Sequence, residues 1–238
     1  MIYAAILAAG FGARMNRQDL PKPYLPLGTK PILIHTLEQF CVNQNVDKVI
    51  VIAAETWRTY AEDSIQKYGL LTSDVVVISG GKSKTESIEL VTKYIVLNYG
   101  TEDDDILIAH DAIRPFVTQR VIDDNIRVAQ SFGAANTVMT TNDMIIVTQD
   151  GITMSEVPLK YQMFAEQTPQ TYKLVLLSEL FDYAARERVN LSEETAFTRL
   201  FLRFGKKMRL VSGEYSNMKI INPYDLEVAN ALLVERSK

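Results

Sequence analysis

Cysteine and histidine are scarce in this 238-residue chain, which has one cysteine, Cys41, and two histidines, His35 and His110. A single cysteine excludes an internal disulfide and a cysteine-rich metal site, a pattern typical of cytoplasmic proteins. Two histidines leave little material for a histidine-based zinc site. We therefore expect a cytoplasmic protein.

Long apolar runs and an excess of positive charge are also missing. No run approaches the about 20 residues that a membrane-spanning helix needs. The apolar N-terminus has no basic region before it, which favours a buried strand over a signal peptide. Lysine and arginine number 25 and aspartate and glutamate 29, a net charge of −4. This balance argues against binding to nucleic acid or to a membrane, so an anionic substrate would require cations concentrated at one place.

What remains is the composition of a globular protein, with 47% hydrophobic and 23% charged residues. Strand patterns alternate with helix patterns. Lys48–Ala54 is a continuous apolar run, as expected for a strand covered on both faces. Ser83 and Glu86 form a capping box that opens a helix. The alternation predicts an α/β fold with a doubly wound, mostly parallel sheet, in a single domain over residues 1–238.

One segment breaks this alternation. Met144–Val147 and Ile152–Met154 flank Asp150 and Gly151, and Asp-Gly between short apolar runs predicts a β-hairpin. A lone two-stranded ribbon is marginally stable in water, so this hairpin should lean on its own domain or on a second copy of the chain. Farther on, Gln167–Thr171 has the composition of a polar turn.

The first candidate site is the loop from Leu7 to Met15, which follows the first strand. Its two glycines allow backbone N–H groups to approach an anion closely. Arg14 ends this loop, and Lys22 follows on a stiff segment between two prolines. These features suggest a clamp for a polyphosphate, although each cation taken alone is as well explained as an ordinary surface charge.

The second candidate site is at the end of another predicted strand, where His110 and Asp111 reach the carboxyl edge of the sheet. Ligands bind at that edge in open α/β folds. Asp111 facing a triphosphate would hold magnesium, with a helix-cap role as its alternative. Arg114 could contact a phosphate or pair with Asp111. We expect His110 to serve in packing or hydrogen bonding rather than as a base.

A third candidate is the turn Gly80-Gly81-Lys82-Ser83. It is not a Walker A loop, because Val76 occupies the position where that motif needs glycine. The turn opens a helix N-terminus that is suited to polar base edges or an anion, and Ser87 lies one turn further on.

Taken together, these segments resemble the sugar- and polyol-phosphate cytidylyltransferases, a family that includes the methylerythritol-phosphate and the ribitol-phosphate enzymes. The motifs are Ala-Ala-Gly-Phe-Gly-x-Arg-Met, Pro-Lys, Gly-Gly, His-Asp-x-x-Arg-Pro, Thr-Pro-Gln and Asn-x-Lys-Ile, in that order between Tyr3 and about Leu233. The resemblance implies a Rossmann-like nucleotidyltransferase fold, with Mg²⁺ as cofactor. It also implies a homodimer formed through a protruding hairpin arm at about residues 141–160.

The resemblance further implies a role for individual residues. The catalytic cations would be Arg14, Lys22 and Lys219. The CTP site would comprise Leu7, Ala8, Ala9, Gly10, Phe11, Gly12, Gly81, Ser87, Asp111 and Ala112, with Asp111 also holding the metal. The acceptor site would comprise Arg114, Lys160, Thr168 and Ser192.

The acceptor is suggested by departures from the family pattern. Lys160 stands where the methylerythritol branch has arginine, which loses bidentate phosphate geometry, and Lys84 stands where many relatives have arginine. The stretches 31–36 and 213–217 are closer to the ribitol-phosphate branch. We therefore expect cytidylyl transfer from CTP to ribitol 5-phosphate or a related alditol phosphate. The products would be pyrophosphate and a CDP-polyol for teichoic acid or capsule. The alternative acceptor is 2-C-methyl-D-erythritol 4-phosphate, for isoprenoid synthesis.

Two other classes of protein fit less well. A Rossmann dehydrogenase needs a third glycine where Met15 stands, and Glu55 lies about twice as far along as its acidic residue should. A non-catalytic nucleotide-binding protein would not need Arg14, Lys22 and Lys219 together with a metal-holding carboxylate.

Overall fold

The computed structural model describes residues 1–10, 20–193 and 197–236. Its central sheet has seven strands in the order β5-β4-β1-β6-β8-β7-β9, and a separate two-stranded pair is formed by β2 and β3. The strands are β1 (Ile2–Ala8), β2 (Pro26–Leu27), β3 (Lys30–Pro31), β4 (Lys48–Ala53), β5 (Val75–Ser79), β6 (Ile106–Asp111), β7 (Ala134–Thr140), β8 (Phe164–Lys173) and β9 (Arg209–Ser212). All pairs in the large sheet are parallel except those of β8, which runs antiparallel to β6 and β7.

Helices cover both faces of this sheet. They are α1 (Ile32–Cys41), α2 (Arg58–Lys67), α3 (Lys84–Tyr99), α4 (Gln119–Phe132), α5 (Leu174–Arg186), α6 (Phe197–Arg203) and α7 (Pro223–Arg236). Alternate residues of β1 point to opposite faces: Ala4 and Ile6 pack in the cluster that includes α1, α2 and α4, whereas Tyr3 and Ala5 pack in the cluster of α3, α5 and α6. The doubly wound, mostly parallel fold predicted from the sequence is confirmed.

The start of α3 shows how local sequence positions a candidate site. Ser83 Oγ accepts a hydrogen bond from the backbone N–H of Glu86 at 3.0 Å, as the capping box predicts. The Glu86 carboxylate accepts from the N–H of Lys82 at 2.6 Å, one residue earlier than in the standard box. The side chain therefore fixes the glycine turn as well as the helix end.

The predicted hairpin strands Met144–Val147 and Ile152–Met154 are wrong. The chain does reverse, but within residues 141–160 the pairing is a single bridge between Val147 and Glu156. The turn is held instead by the Asp150 carboxylate, which accepts hydrogen bonds from the N–H groups of the two residues that follow Gly151. A ladder here would have no second layer to cover it, since Ile152 is 89% exposed.

The predicted polar turn Gln167–Thr171 is also wrong, because these residues are part of β8 and are buried. Their polar side chains are paired inside the sheet: for example, Gln170 Nε2 donates to Asn136 Oδ1 at 3.3 Å. Pro169 lacks an N–H, but its carbonyl accepts from Thr137 Oγ1 at 2.7 Å. Buried polar groups with partners are stable in a strand, so polarity alone does not identify a turn.

Across the described ranges, no helix combines the length and the apolar character needed to cross a membrane.

Candidate active site

The candidate site lies at the carboxyl edge of the sheet. β1 pairs with β4 on one side and β6 on the other, so the strand order reverses at this point, where α/β folds bind ligands. A cavity of about 350 Å³ opens there. Its lining residues come from the ends of β1 and β6, the segment around Lys22, the start of α3 and the segment before α7: Leu7, Ala9, Gly10, Lys22, Pro23, Gly81, Lys82, Ser83, Lys84, Ser87, Asp111, Ile113 and Lys219.

Asp111 is the electrostatic centre of this cavity. Its Oδ2 lies 3.1 Å from Lys219 Nζ and 3.3 Å from Arg114 Nε. Burial alone would raise the pKa of Asp111, but the charges of Lys84, Lys219 and Arg114 outweigh burial and hold it well below its usual range. The group is therefore an anion at neutral pH, surrounded by cations whose combined charge exceeds its own.

Lys22 is held rigidly at the cavity wall. It begins a short 3₁₀ turn, Lys22–Tyr24, in which the N–H of Tyr24 donates to the carbonyl of Pro21 at 2.9 Å. The ring of Tyr24 stacks on Trp57, with 5.7 Å between centroids. Lys22 is only 8% exposed, so its ammonium is partly dehydrated and acts more strongly on a nearby anion than a surface lysine would.

The glycine turn before α3 lets two loops meet. A Cβ on Gly80 would lie 2.6 Å from Cβ of Ala9, so only glycine fits against the loop after β1. Ser87 Oγ accepts from the N–H of Gly81 at 3.1 Å and donates to the carbonyl of Ser83 at 2.9 Å. The turn is thus a preformed wall of the cavity.

Lys84, noted in the sequence only as a departure from the family pattern, lines the cavity and was missing from the predicted site. Its ammonium donates to Gln170 Oε1 at 2.7 Å, across the cavity from the helix that carries it. Burial lowers the pKa of Lys84, against the opposing charges of Asp111 and Glu166. The sequence did contain a signal for Lys84. A cation in the first turn of a helix is repelled by the positive end of the helix dipole, so a lysine at this position suggests a functional role.

A smaller cavity of about 190 Å³ adjoins the first. It is lined by Lys84, Asp111, Arg114, Glu166, Gln167, Thr168, Gln170, Phe197 and Lys219. Lys84, Asp111 and Lys219 line both cavities, so the cluster of charges lies where the two spaces meet. Two of the predicted acceptor residues, Arg114 and Thr168, lie in the smaller cavity.

His110 is buried and occupied. Its Nε2 contacts the carbonyl of Arg114 and its Nδ1 contacts Thr168 Oγ1, both at 3.1 Å. Burial lowers the pKa of His110 to about 4, so the ring is neutral at pH 7. These contacts fit the expected packing and hydrogen-bonding role rather than that of a base.

Other predicted residues lie outside the two cavities or outside the described residues. Ala8 and Ala112 are buried in the core cluster that includes α1 and α4. Ser192 donates to Asn190 Oδ1 at 2.7 Å. Lys160 lies on the arm and donates to the carbonyl of Asn142 at 2.8 Å. The remaining three, Arg14, Phe11 and Gly12, lie outside the described residues.

The side chains around Asp111 determine whether the predicted metal ion fits there. Within the ranges that the structure describes, no three or more histidine, cysteine, aspartate or glutamate side chains form a group that could hold a metal ion. Mg²⁺, however, is commonly bound by one or two carboxylates together with substrate phosphates. Arg114 and Lys219 both contact Oδ2 of Asp111, so Oδ1 can serve such a shared site.

Comparison with known proteins gives a consistent result. A family model described as 2-C-methyl-D-erythritol 4-phosphate cytidylyltransferase matches residues 2–235. A 4-diphosphocytidyl-2C-methyl-D-erythritol synthase from Anaerococcus prevotii is 24% identical, with a TM-score of 0.81 over 98% of this chain and 96% of that one. The 2-C-methyl-D-erythritol 4-phosphate cytidylyltransferase of Francisella tularensis is 27% identical, with a TM-score of 0.76 over 97% and 98%. That of Thermus thermophilus is 25% identical, with a TM-score of 0.72 over 98% of both chains.

Proposed function

The chain belongs to the 2-C-methyl-D-erythritol 4-phosphate cytidylyltransferase family, and we propose on that basis that its acceptor is 2-C-methyl-D-erythritol 4-phosphate. The protein is a CTP-dependent cytidylyltransferase. The structural observation that carries the transfer reaction, as distinct from the identity of the acceptor, is the charge cluster of Lys84, Asp111 and Lys219, which lines both cavities. The larger cavity would take CTP and the smaller the acceptor, with the reacting phosphates at the junction. The product would then enter isoprenoid synthesis.

The reaction places few demands on covalent chemistry. A phosphate oxygen of the acceptor attacks the α-phosphorus of CTP, a new P–O bond forms, and the bond to the bridging oxygen breaks as pyrophosphate leaves with the electron pair. The nucleophile is already an anion, so no strong general base is needed, which agrees with the buried, neutral His110. Catalysis then consists of positioning and charge stabilisation.

The cations would divide this task. Lys22 would contact the phosphates of CTP from the 3₁₀ turn. Lys219 and Lys84, at the junction, would contact the phosphoryl group being transferred, and Arg114 the acceptor phosphate. Arg14 is proposed, with Lys22, as a catalytic cation that stabilises charge on the phosphates of CTP.

Asp111 is the proposed magnesium ligand. Enzymes of this family generally depend on a divalent metal, and when bound the ion neutralises charge on the nucleotide phosphates. Asp111 also orients Lys219 and Arg114, whether or not a metal ion is bound, because both cations contact the same carboxylate oxygen.

An alditol phosphate such as ribitol 5-phosphate is the second candidate acceptor. Lys160 in place of arginine and the stretches 31–36 and 213–217 favour it. The CDP-polyol formed would then serve teichoic acid or capsule synthesis.

Pyrophosphate release with CTP and Mg²⁺ tests both candidates. We expect the highest kcat/KM with 2-C-methyl-D-erythritol 4-phosphate, a lower value with ribitol 5-phosphate, and no release without an acceptor. A reversed preference would assign the second candidate. If neither acceptor supports pyrophosphate release, the proposal is wrong.

The protein is further proposed to act as a homodimer of single domains, 1–238, through the arm at about 141–160. This arm exposes many apolar side chains, among them Ile146, Ile152, Met154 and Leu159. Exposed apolar side chains concentrated in one segment are typical of an interface.

A further inference from the structure

The smaller cavity contains polar groups that the transfer of a phosphoryl group does not require. Glu166, Gln167 and Gln170 line it beside the cations. A carboxylate that does not share a metal ion repels both a phosphate and a triphosphate, and Asp111 is the proposed metal ligand of this site. Glu166 is therefore suited to a part of the substrate that carries hydrogen-bond donors.

Glu166 is the last member of a directed chain of hydrogen bonds. Lys84 Nζ donates to Gln170 Oε1 at 2.7 Å, Gln170 Nε2 donates to Asn136 Oδ1 at 3.3 Å, and Asn136 Nδ2 donates to Glu166 Oε1 at 2.8 Å. An ammonium can only donate and a carboxylate can only accept. The two charged ends therefore fix which way both amides point, and the chain joins the charge cluster to a carboxylate that lines the smaller cavity.

The fold builds this chain from two neighbouring strands. Asn136 on β7 lies directly opposite Gln170 on β8, whereas the next pair is Val138 with Glu166, so the register shifts between them. Two steps along β7 correspond to four along β8, and this irregularity brings Glu166 beside Asn136. Asn136 is 9% exposed and Gln170 1% exposed, so both amides are fixed by the cost of leaving a buried polar group unpaired.

We propose that Glu166 accepts hydrogen bonds from hydroxyl groups of the acceptor at the end distant from its phosphate, and so selects polyhydroxylated phosphates. The inference rests on the proposed function. Asn136 and Gln170 are positioning residues, since they act through Glu166 and Lys84. The separation of Lys84 and Glu166 would then set the length of acceptor that fits, with its phosphate near Lys84 and its hydroxyl end near Glu166.

The chemistry of a carboxylate supports this assignment. It accepts from hydroxyl donors, and such bonds to a charged acceptor are stronger than those between neutral groups. An acceptor that lacks the distal hydroxyl loses this charge-assisted bond, and the Glu166 carboxylate keeps only the bond donated by Asn136 Nδ2. Sites that bind a substrate hydroxyl in this way reject the analogue that lacks it, whereas apolar pockets discriminate weakly.

The experiment compares the better acceptor of the two named above with its analogue that lacks the hydroxyl farthest from the phosphate. We expect wild-type protein to prefer the full acceptor by about 10- to 100-fold in kcat/KM. Glu166→Ala should reduce that preference to less than about threefold, and Glu166→Gln should retain part of it, while the KM for CTP stays unchanged in both. Glu179→Ala, in an exposed glutamate of α5, is the matched control and should keep the wild-type preference.

A double-mutant cycle tests the positioning role of Asn136. Because Asn136 acts through Glu166, Asn136→Ala should lower the preference in the wild-type background but not in Glu166→Ala. A general structural defect would instead lower kcat for both acceptors in both backgrounds.

The outcomes separate the two proposals. If wild-type protein uses an acceptor from the panel and Glu166→Ala keeps the full preference for the distal hydroxyl, the role of Glu166 is wrong and the proposed function stands. If wild-type protein uses no polyol phosphate at all, both are wrong, since the inference requires a polyhydroxylated acceptor.

Discussion

Lys219 Nζ lies 3.1 Å from Asp111 Oδ2, which joins the segment before α7 to the carboxyl end of β6. The same two residues line both cavities, together with Lys84. In the proposed reaction the pair would therefore position a cation where nucleotide and acceptor meet. Lys22 lines the larger of these cavities too. The proposed function depends on four charged residues, of which Lys22, Asp111 and Lys219 share this cavity. The fourth, Arg14, lies outside the described residues.

Removal of Lys22 should impair catalysis far more than folding. Loss of one preorganised group that stabilises charge in the transition state costs about 10²- to 10³-fold in kcat. We expect Lys22→Ala to show a loss of this size in pyrophosphate release, with little change in melting temperature. Lys67→Ala, at an exposed position of α2, is the control and should leave both unchanged. An equal loss of activity and stability in Lys22→Ala would count against its catalytic role.

Lys84 should produce a pH dependence on the alkaline side. Burial lowers its pKa, so as pH rises the ammonium loses its proton earlier than an ordinary lysine, and kcat should fall with it. Arginine keeps its charge over this range. We expect the alkaline limb of the kcat profile to move to higher pH in Lys84→Arg, and kcat to drop at all pH values in Lys84→Ala. An alkaline limb that is the same in Lys84→Arg and in wild type would assign it to another group.

The sequence was sufficient to predict those site residues that directly follow a predicted strand or open the next helix. Gly81, Ser87 and Asp111 follow predicted strands, and the carboxyl ends of parallel strands meet at one edge, so their convergence in one cavity follows from the fold class. Lys84 could not be found in this way, because its partner, Gln170, is 86 positions later on a strand whose polar composition resembles a turn. The polar groups of that strand find their partners at distant positions, such as Asn136 and Thr137.

Thr168 illustrates the same limit. The family resemblance placed it in the acceptor site, but its local sequence gave no reason for burial. In the structure its hydroxyl accepts from the N–H of Asp111 at 3.1 Å and contacts His110, and its carbonyl accepts from Asn217 Nδ2 at 2.7 Å. These three partners come from two distant segments, so a pattern in one window of sequence cannot reveal them.

His110 should make the folded state sensitive to mild acid. Its pKa is lowered to about 4 in the folded protein and is about 6.5 in an unfolded chain. The unfolded state therefore binds the proton first as pH falls, and the free energy of unfolding should decrease by about 3 kcal/mol between pH 6.5 and pH 4 from this group. Urea unfolding across that range should show a smaller decrease in His110→Gln than in wild type. His35→Gln is the control, and an unchanged decrease in His110→Gln would contradict the assignment.

Lys160 should act on the acceptor and not on CTP. Its ammonium is on the arm, bonded to the carbonyl of Asn142, and outside the residues that line either cavity. In the proposed dimer the arm would bring it to the acceptor's phosphate across the interface, so it would contribute to binding and not to stabilisation of the transition state. We expect Lys160→Ala to raise the acceptor KM by about 10-fold, the worth of one charge-assisted hydrogen bond, with kcat and the KM for CTP little changed. Lys160→Arg should restore or lower the KM, because arginine binds phosphate in a bidentate manner. An unchanged acceptor KM in Lys160→Ala would refute the role.

The arm should determine the oligomeric state. Ile152 and Met154 are 89% and 64% exposed, in a segment that has one bridge in place of a strand ladder. Covering an exposed apolar side chain with a partner contributes about 25 cal/mol of favourable free energy per Å² buried. A two-stranded ribbon that is marginally stable alone is stabilised further when a second copy packs against it. We therefore expect wild-type protein to be a dimer by light scattering, and deletion of residues 144–154 or the double change Ile152→Asp with Met154→Asp to give monomers. Leu97→Asp, at an 86% exposed position of α3, controls for the loss of any exposed apolar side chain and should remain dimeric. A dimer that survives both arm variants would place the interface elsewhere on the molecule.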